Sequence, residues 1–209
     1  MQSFAVLLHE AELAHGHLCA GQILGVRLAM LGCQRLGITD PRGADRKRLV
    51  TFVEIDRCAT DAIGVVTGCR LGKRALKFRD WGKMAATFVD LSAPLAPQPG
   101  GTPTYKAIRI AALESSKQRA RDLYPNIENK NQQQMLAYRE LPDSELFFEQ
   151  WVRVPIHPRE MPGYKSARIA CAICGEGINY DREVHRDGKI LCEACAVPET
   201  RYYQPLTQQ

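Results

Sequence analysis

Apolar residues recur at helical spacing in the first third of the chain and at strand spacing through its middle. Phe4, Leu7, Leu8 and Leu13 predict a short helix over 3–14; Leu18, Ile23, Leu24, Leu28 and Leu31 predict a longer one over about 18–36, with Gly37 as its stop. A polar loop over 37–48 leads into Leu49-Val50-Thr51-Phe52-Val53-Glu54-Ile55, a β-rich run that reads as a strand. A helix over 59–67 follows, closed by a Gly-flanked turn over 68–73. Residues 75–80 and 84–91 then predict two strands joined as a hairpin around Trp81-Gly82-Lys83. After a Pro/Gly-rich loop over 92–103, the run 105–112 predicts an antiparallel strand, since the connections are short. Residues 115–138 read as a helix interrupted at Pro125, 142–148 as another short helix, and 151–155 as a last strand.

Pro158, Pro162 and Gly163 mark a linker, so the organisation expected is a domain over 1–156, a linker over 157–168 and a small domain over 169–209. The composition, 45% hydrophobic and 24% charged over 209 residues, is that of an ordinary globular protein. No apolar run reaches the length of a membrane span, and the N-terminus has no basic segment followed by an apolar one and a cleavage site. A cytoplasmic protein without membrane attachment is therefore expected. The net charge of +5 is mild, and a four-thiolate zinc site would lower it by about 2. Charge alone thus makes no case for nucleic acid.

Two stretches carry metal chemistry. His15-Gly16-His17-Leu18-Cys19 crowds two imidazoles and a thiol into five residues, a donor set suited to Zn or another late first-row metal. Gly16 frees the backbone to turn, and Cys19 is expected in the first turn of the following helix, whose dipole favours thiolate. A tetrahedral ion needs a fourth donor or keeps an open position. Cys58, at a strand-to-helix junction, is the candidate; Cys69, at the far end of the same short helix, about 15 Å away, is either a packing residue or a second reactive thiol. His9 reads as a surface or structural residue. Asp80 and Lys83 flank the Trp81-Gly82 turn and either hold a substrate or solvate it.

The second stretch is Cys171-Ala172-Ile173-Cys174 with Cys192-Glu193-Ala194-Cys195, separated by 17 residues. That spacing fits a structural four-cysteine zinc site of treble-clef type, and it favours metal over disulfides for these cysteines. Between the two pairs, Arg182, Arg186 and Lys189 are opposed by Glu176, Asp181, Glu183 and Asp187. A phosphate-binding face needs a stronger positive surplus, so no nucleic-acid partner is expected.

Four blocks in order, His15-Gly16-His17-Leu18-Cys19-Ala20-Gly21, Cys58-Ala59-Thr60-Asp61-Ala62-Ile63, Thr67-Gly68-Cys69-Arg70-Leu71-Gly72-Lys73 and Phe78-Arg79-Asp80-Trp81-Gly82-Lys83, resemble the FmdE/FwdE-like family of formylmethanofuran dehydrogenase over about the first 150 residues. Ala20, Thr60 and Trp81 replace the Pro, Val and Tyr usual there, and none of these changes removes a donor. The resemblance implies an α+β domain with a mostly antiparallel sheet and packed helices, related to the catalytic domain of glyceraldehyde-phosphate dehydrogenase, usually a homodimer, with a metal near the His/Cys motif. Oxidoreductase partner subunits are implied by the family name, although many members occur outside that complex. Some relatives also carry a C-terminal finger.

Two function classes follow. One is a metal-binding accessory or catalytic protein of one-carbon or redox metabolism, using His15, His17, Cys19 and Cys58. The other is a non-catalytic metal-sensing or regulatory module whose finger binds protein or nucleic acid. No nucleophile, acid/base pair, GxGxxG or phosphate loop names a reaction.

Overall fold

The computed structural model describes residues 1–96, 101–204 and 206; the 97–100 part of the predicted Pro/Gly-rich loop lies outside the described residues. The chain divides into two compact units, Met1–Ile156 and His157–Gln209. Among the described residues, no helix is long and apolar enough to cross a membrane.

The first unit runs α1 (Phe4–His15), α2 (Ala20–Arg35), β1 (Leu49–Val53), α3 (Cys58–Thr67), β2 (Leu76–Phe78), β3 (Ala85–Pro94), β4 (Thr104–Ala112), α4 (Ser115–Leu123), α5 (Lys130–Glu140), α6 (Asp143–Leu146) and β5 (Phe147–Pro155). The strands form one sheet in the order β2-β1-β3-β4-β5, in which every pair is antiparallel except β1 with β2. The fold is thus α+β with a mostly antiparallel sheet.

The hairpin predicted between 75–80 and 84–91 does not form. The first of these segments, as β2, pairs in parallel with β1, Thr51 facing Leu76, and β1 separates it from β3. The reason is α3, a crossover helix that carries the chain back so that β2 runs alongside β1 in the same direction. The carbonyl of Glu54 accepts the N–H groups of both Trp81 and Lys83, at 3.1 Å each, so the predicted hairpin turn is pinned to the end of β1 instead. The last strand also starts earlier than expected: α6 ends at Leu146, and Phe147 already faces Ala112 across the β4–β5 ladder.

At the centre lies α2, which packs on β3 and β4 and is flanked by α1, α3 and α5. Its apolar residues Ile23, Val26, Leu28 and Ala29 are fully buried in the same core as Phe88, Ile108 and Ile110 of the sheet. Glycines set the spacing. A Cβ on Gly25 would stand 2.5 Å from the Ala59 carbonyl oxygen of α3, and one on Gly32 would stand 2.2 Å from the Phe88 ring. Polar contacts fix α2 at its flanks. Arg27 donates to the carbonyls of Tyr138 and Leu141 and to Asp143, and Arg35 forms a two-pronged pair with Glu149 of β5. Inside the sheet, Glu54 is buried and held by Arg109 through two hydrogen bonds of 2.7 and 2.6 Å, which satisfies a charge that would be costly alone.

The second unit carries two short ribbons, β6 (Ile169–Ala170) with β7 (Gly177–Ile178) and β8 (Val184–Arg186) with β9 (Lys189–Leu191), followed by α7 (Glu193–Ala196). Among the described residues its buried apolar cluster is Cys171, Ile178, Leu191, Cys195 and Ala196.

Adding a methyl group at Gly25 forces α2 off α3, whereas Gly72 has nothing within 4 Å of an added Cβ. Gly25→Ala is expected to lower stability by about 2 kcal/mol and Gly72→Ala to leave it within ~0.5 kcal/mol; urea denaturation of the two variants side by side checks this.

Candidate functional site

Three helix ends meet at the His15–Cys19 segment. His15 is the last residue of α1, which stops because Gly16 takes a left-handed conformation (φ 92°) and returns its N–H to Glu12. This is a position that a side chain would strain. Cys19 is the residue that caps α2, extended at φ −145°, one step before the first turn that the sequence predicts for it. Cys58 opens α3. Asn131 of α5 accepts the Ala20 N–H at 3.3 Å and ties the start of α2 to a helix more than a hundred residues on.

One donor atom each from His15, His17 and Cys19 lies within 4.8 Å of the other two. A tetrahedral ion with Zn–N and Zn–S bonds sets its donors about 3.5 Å apart, so closing on an ion needs movements of about an ångström. The two imidazole rings are 4.7 Å apart, centre to centre, and tilted by 42°. His17 is exposed and His15 and Cys19 half-buried, which places the trio at the surface. Cys58 does not fall within the trio's envelope. Its β-carbon and the Cys19 sulfur both stand beside Gly21, at 3.1 and 3.7 Å from the position of an added Cβ. Burial, and then the neighbouring Cys19 thiol, push the Cys58 thiol upward. A cation between the two thiols would remove that mutual repulsion.

Two partners leave no mark in the sequence pattern. Asp61, in the first turn of α3, holds Nδ1 of His15 at 2.8 Å. That contact fixes the imidazole tautomer and leaves Nε2 to carry the lone pair, the arrangement that carboxylates give to metal-bound histidines. Gln22, fully buried, donates to the Cys58 carbonyl at 2.7 Å, while its own Oε1 has no partner. Because a carbonyl only accepts, the amide nitrogen must face Cys58, and the unpaired oxygen cannot be relieved by flipping the group.

The remaining cysteines separate cleanly. Cys69 is buried, bonded to Thr51 Oγ1 at 3.5 Å and to the Leu49 carbonyl at 3.6 Å, and is therefore a packing residue. Asp80 accepts the Gly82 N–H at 3.2 Å and so shapes its turn. In the second unit the four thiols of Cys171, Cys174, Cys192 and Cys195 cluster within 4.8 Å. Cys174 and Cys192 are 3.9 Å apart, close to the ~3.8 Å edge of a tetrahedral four-sulfur zinc site. The Cys192 N–H donates to the Cys171 sulfur at 3.3 Å, and backbone N–H groups of Cys174 and Cys192 pull the Cys171 thiol down to about 6. Arg201 donates to the Cys195 sulfur at 3.4 Å. All four are disposed to hold a metal.

Residues 14–148 match the family described as "FmdE, Molybdenum formylmethanofuran dehydrogenase operon". The chain belongs to the FmdE family. The crystal structure of a tungsten formylmethanofuran dehydrogenase FmdE-like protein from Syntrophus aciditrophicus shares the fold, with a TM-score of 0.58 over 96% of this chain and 95% of that one, at 16% identity. A probable S-adenosyl-L-methionine-binding protein from Archaeoglobus fulgidus is 38% identical over 84 residues, which cover 40% of this FmdE chain and 23% of that relative's length.

Burial raises the Cys33 thiol to about 12 and also raises that of Cys69. At pH 8 a thiol near 12 is thiolate in about one molecule in ten thousand. A thiol reagent at pH 8 is therefore expected to modify the exposed Cys174 and the half-buried Cys19 and Cys192 of the metal-free chain, and to reach Cys33 and Cys69 only after denaturation; peptide mapping of the labelled chain reads this out.

Proposed function

We propose that the chain is a metalloprotein with two unlike sites. In the first, His15, His17 and Cys19 hold zinc or a related late first-row metal, with Cys58 approaching from α3 as the fourth donor. In the second, Cys171, Cys174, Cys192 and Cys195 hold a structural zinc. The observation that carries the first site is the meeting of two imidazoles and a thiol at three helix ends, with Asp61 fixing His15 from behind.

The protein's residues divide the work at the first site. Asp61 keeps His15 in one tautomer and one orientation. The starts of α2 and α3 carry Cys19 and Cys58 to the site, side by side at Gly21. The exposed His17 leaves one flank reachable by a small ligand. When bound, the ion would supply Lewis acidity or a ligand-exchange position. With membership of the FmdE family, this supports an accessory role in one-carbon or redox metabolism, of the kind that formylmethanofuran dehydrogenase lends the family its name. The second site closes its own coordination sphere with four thiolates and serves folding.

Metal analysis of variants tests both sites. Cys19→Ser and His17→Ala are each expected to remove one equivalent of metal, and Cys171→Ser with Cys174→Ser the other. Asp61→Asn is expected to weaken the first site by roughly 10–100-fold in a chelator competition while leaving the second untouched. Binding of azide or an exogenous thiol to a Co(II)-loaded first site, seen as a shifted visible spectrum, supports an exchangeable position. A first site that is inert to both favours the metal-sensing alternative.

A further inference from the structure

The positive charge of the chain is gathered in one place. Residues 70–83 carry Arg70, Lys73, Arg74, Lys77, Arg79 and Lys83 against the single carboxylate of Asp80, a surplus of five. The other 195 residues carry 22 basic and 22 acidic side chains and are neutral. The whole net charge of +5 thus lies on one short segment. Averaged over the chain that charge is mild; concentrated on a stripe it is the electrostatic footprint of a polyanion site.

The segment wraps one edge of the sheet. Its strand, β2, pairs with β1 on one side and with no strand of the described residues on the other. The Arg70 carbonyl accepts the Leu76 N–H at 3.3 Å where β2 begins, and the turn carrying Trp81 and Lys83 is pinned to Glu54 at the end of β1. Between these points the backbone advances about 10 Å, and the long basic side chains at either end extend the strip further.

Charges on an edge strand commonly keep other strands away. That accounts for little here, because β2 itself holds only Lys77, which is buried. The exposed cations Arg70, Lys73, Arg79 and Lys83 flank the strand instead. Other basic segments are answered by carboxylates: Arg42 by Glu10, Arg48 by Asp45 and Asp90, Lys117 by Glu114 and Arg119 by Glu145. Arg70, Lys73 and Lys83 have no carboxylate partner among the described residues. Asp80, the one acid of the segment, is occupied in its own turn with the Gly82 N–H. Aromatic rings stand among the cations. Phe78 is 39% and Trp81 62% exposed, and the Lys83 ammonium lies 5.7 Å from the Trp81 ring centre and orients it.

Cations strung along an extended edge with exposed rings between them suit a flexible polyanion that carries flat rings of its own. We propose that residues 70–83 form a binding strip for single-stranded nucleic acid, in which the exposed cations meet successive phosphates and Trp81 stacks on a base. A duplex keeps its bases stacked on one another and offers Trp81 nothing. An acidic peptide would meet the charges and leave the rings unused. Neither metal site is needed for this binding.

Fluorescence anisotropy of the full chain with short labelled oligo(U) and oligo(dT), the oligo(dA)·oligo(dT) duplex and polyglutamate tests it. Binding of at least one single strand is expected, its logarithm of affinity falling with the logarithm of salt at a slope of about −2 to −3, as three or four phosphate contacts require. Arg70→Gln and Lys73→Gln, both at exposed sites, are each expected to make that slope shallower by about 0.7. Trp81→Ala weakens binding roughly tenfold at an unchanged salt slope, and Trp81→Phe restores most of it. Arg121→Gln, on α4, changes neither affinity nor slope. Absence of binding at low salt overturns the proposal, as does a duplex that binds as tightly as the single strands. Polyglutamate binding as tightly as they do also overturns it and assigns the strip to an acidic protein. So does binding that survives Arg70→Gln, Lys73→Gln and Trp81→Ala together. Should Trp81→Ala fail to fold, the two charge variants decide: an unchanged slope in both overturns it.

Discussion

The close approach of α2 to α3 is the constraint on which the first unit depends. Gly21 and Gly25, one helical turn apart, leave no side chain between the two helices: an added Cβ at Gly25 overlaps the Ala59 backbone, and one at Gly21 touches both Cys58 and Cys19. The two cysteines therefore owe their proximity to a missing side chain. The same approach lets Gln22 reach the Cys58 carbonyl and brings the opening turn of α3, with Asp61, against the end of α1. At the other end of α2, Gly32 repeats the device against Phe88, so one helix is seated against both a helix and the sheet. Core packing and site geometry are thus one problem.

Much of this architecture can be read from periodicity. The apolar spacing along α1, α2 and α3 reflects burial against a common core, and the β-rich run at Leu49 becomes a central strand. The short His/Cys segment is legible because its donors are adjacent in sequence and need only one turn of backbone to converge. What stays hidden depends on pairs far apart in the chain. Asp61 lies 46 residues from His15, and Asn131 lies 111 from Ala20. No local pattern distinguishes either from a solvated polar residue. The hairpin that does not form has a similar cause. Two neighbouring strands with a short connection usually pair, and nothing within 75–91 announces that β1 has already taken the place between them. β5 begins before its predicted start because Pro142, Asp143 and Glu145 look like the opening of a longer helix than the single turn that forms.

The two units solve the problem of gathering metal donors in opposite ways. In Met1–Ile156 a large apolar core and a five-stranded sheet hold the helices whose ends carry the donors. In His157–Gln209 two of the five core residues are themselves cysteines of the cluster, and the ribbons are two or three residues long. Beyond these, little but an ion they could bind would hold the four thiols together.

Were both sites to hold metal as proposed, the two ions would stand in different relations to the fold. The donors His15, His17 and Cys19 lie within five residues on helix ends that the large apolar core already seats, so an ion there would be removable without unfolding the first unit. The four cysteines are surrounded by only a small apolar cluster among the described residues, so an ion there would be part of what holds the second unit together. The same polypeptide would thus register metal supply in two ways, through an exchangeable ion in one unit and through its own stability in the other.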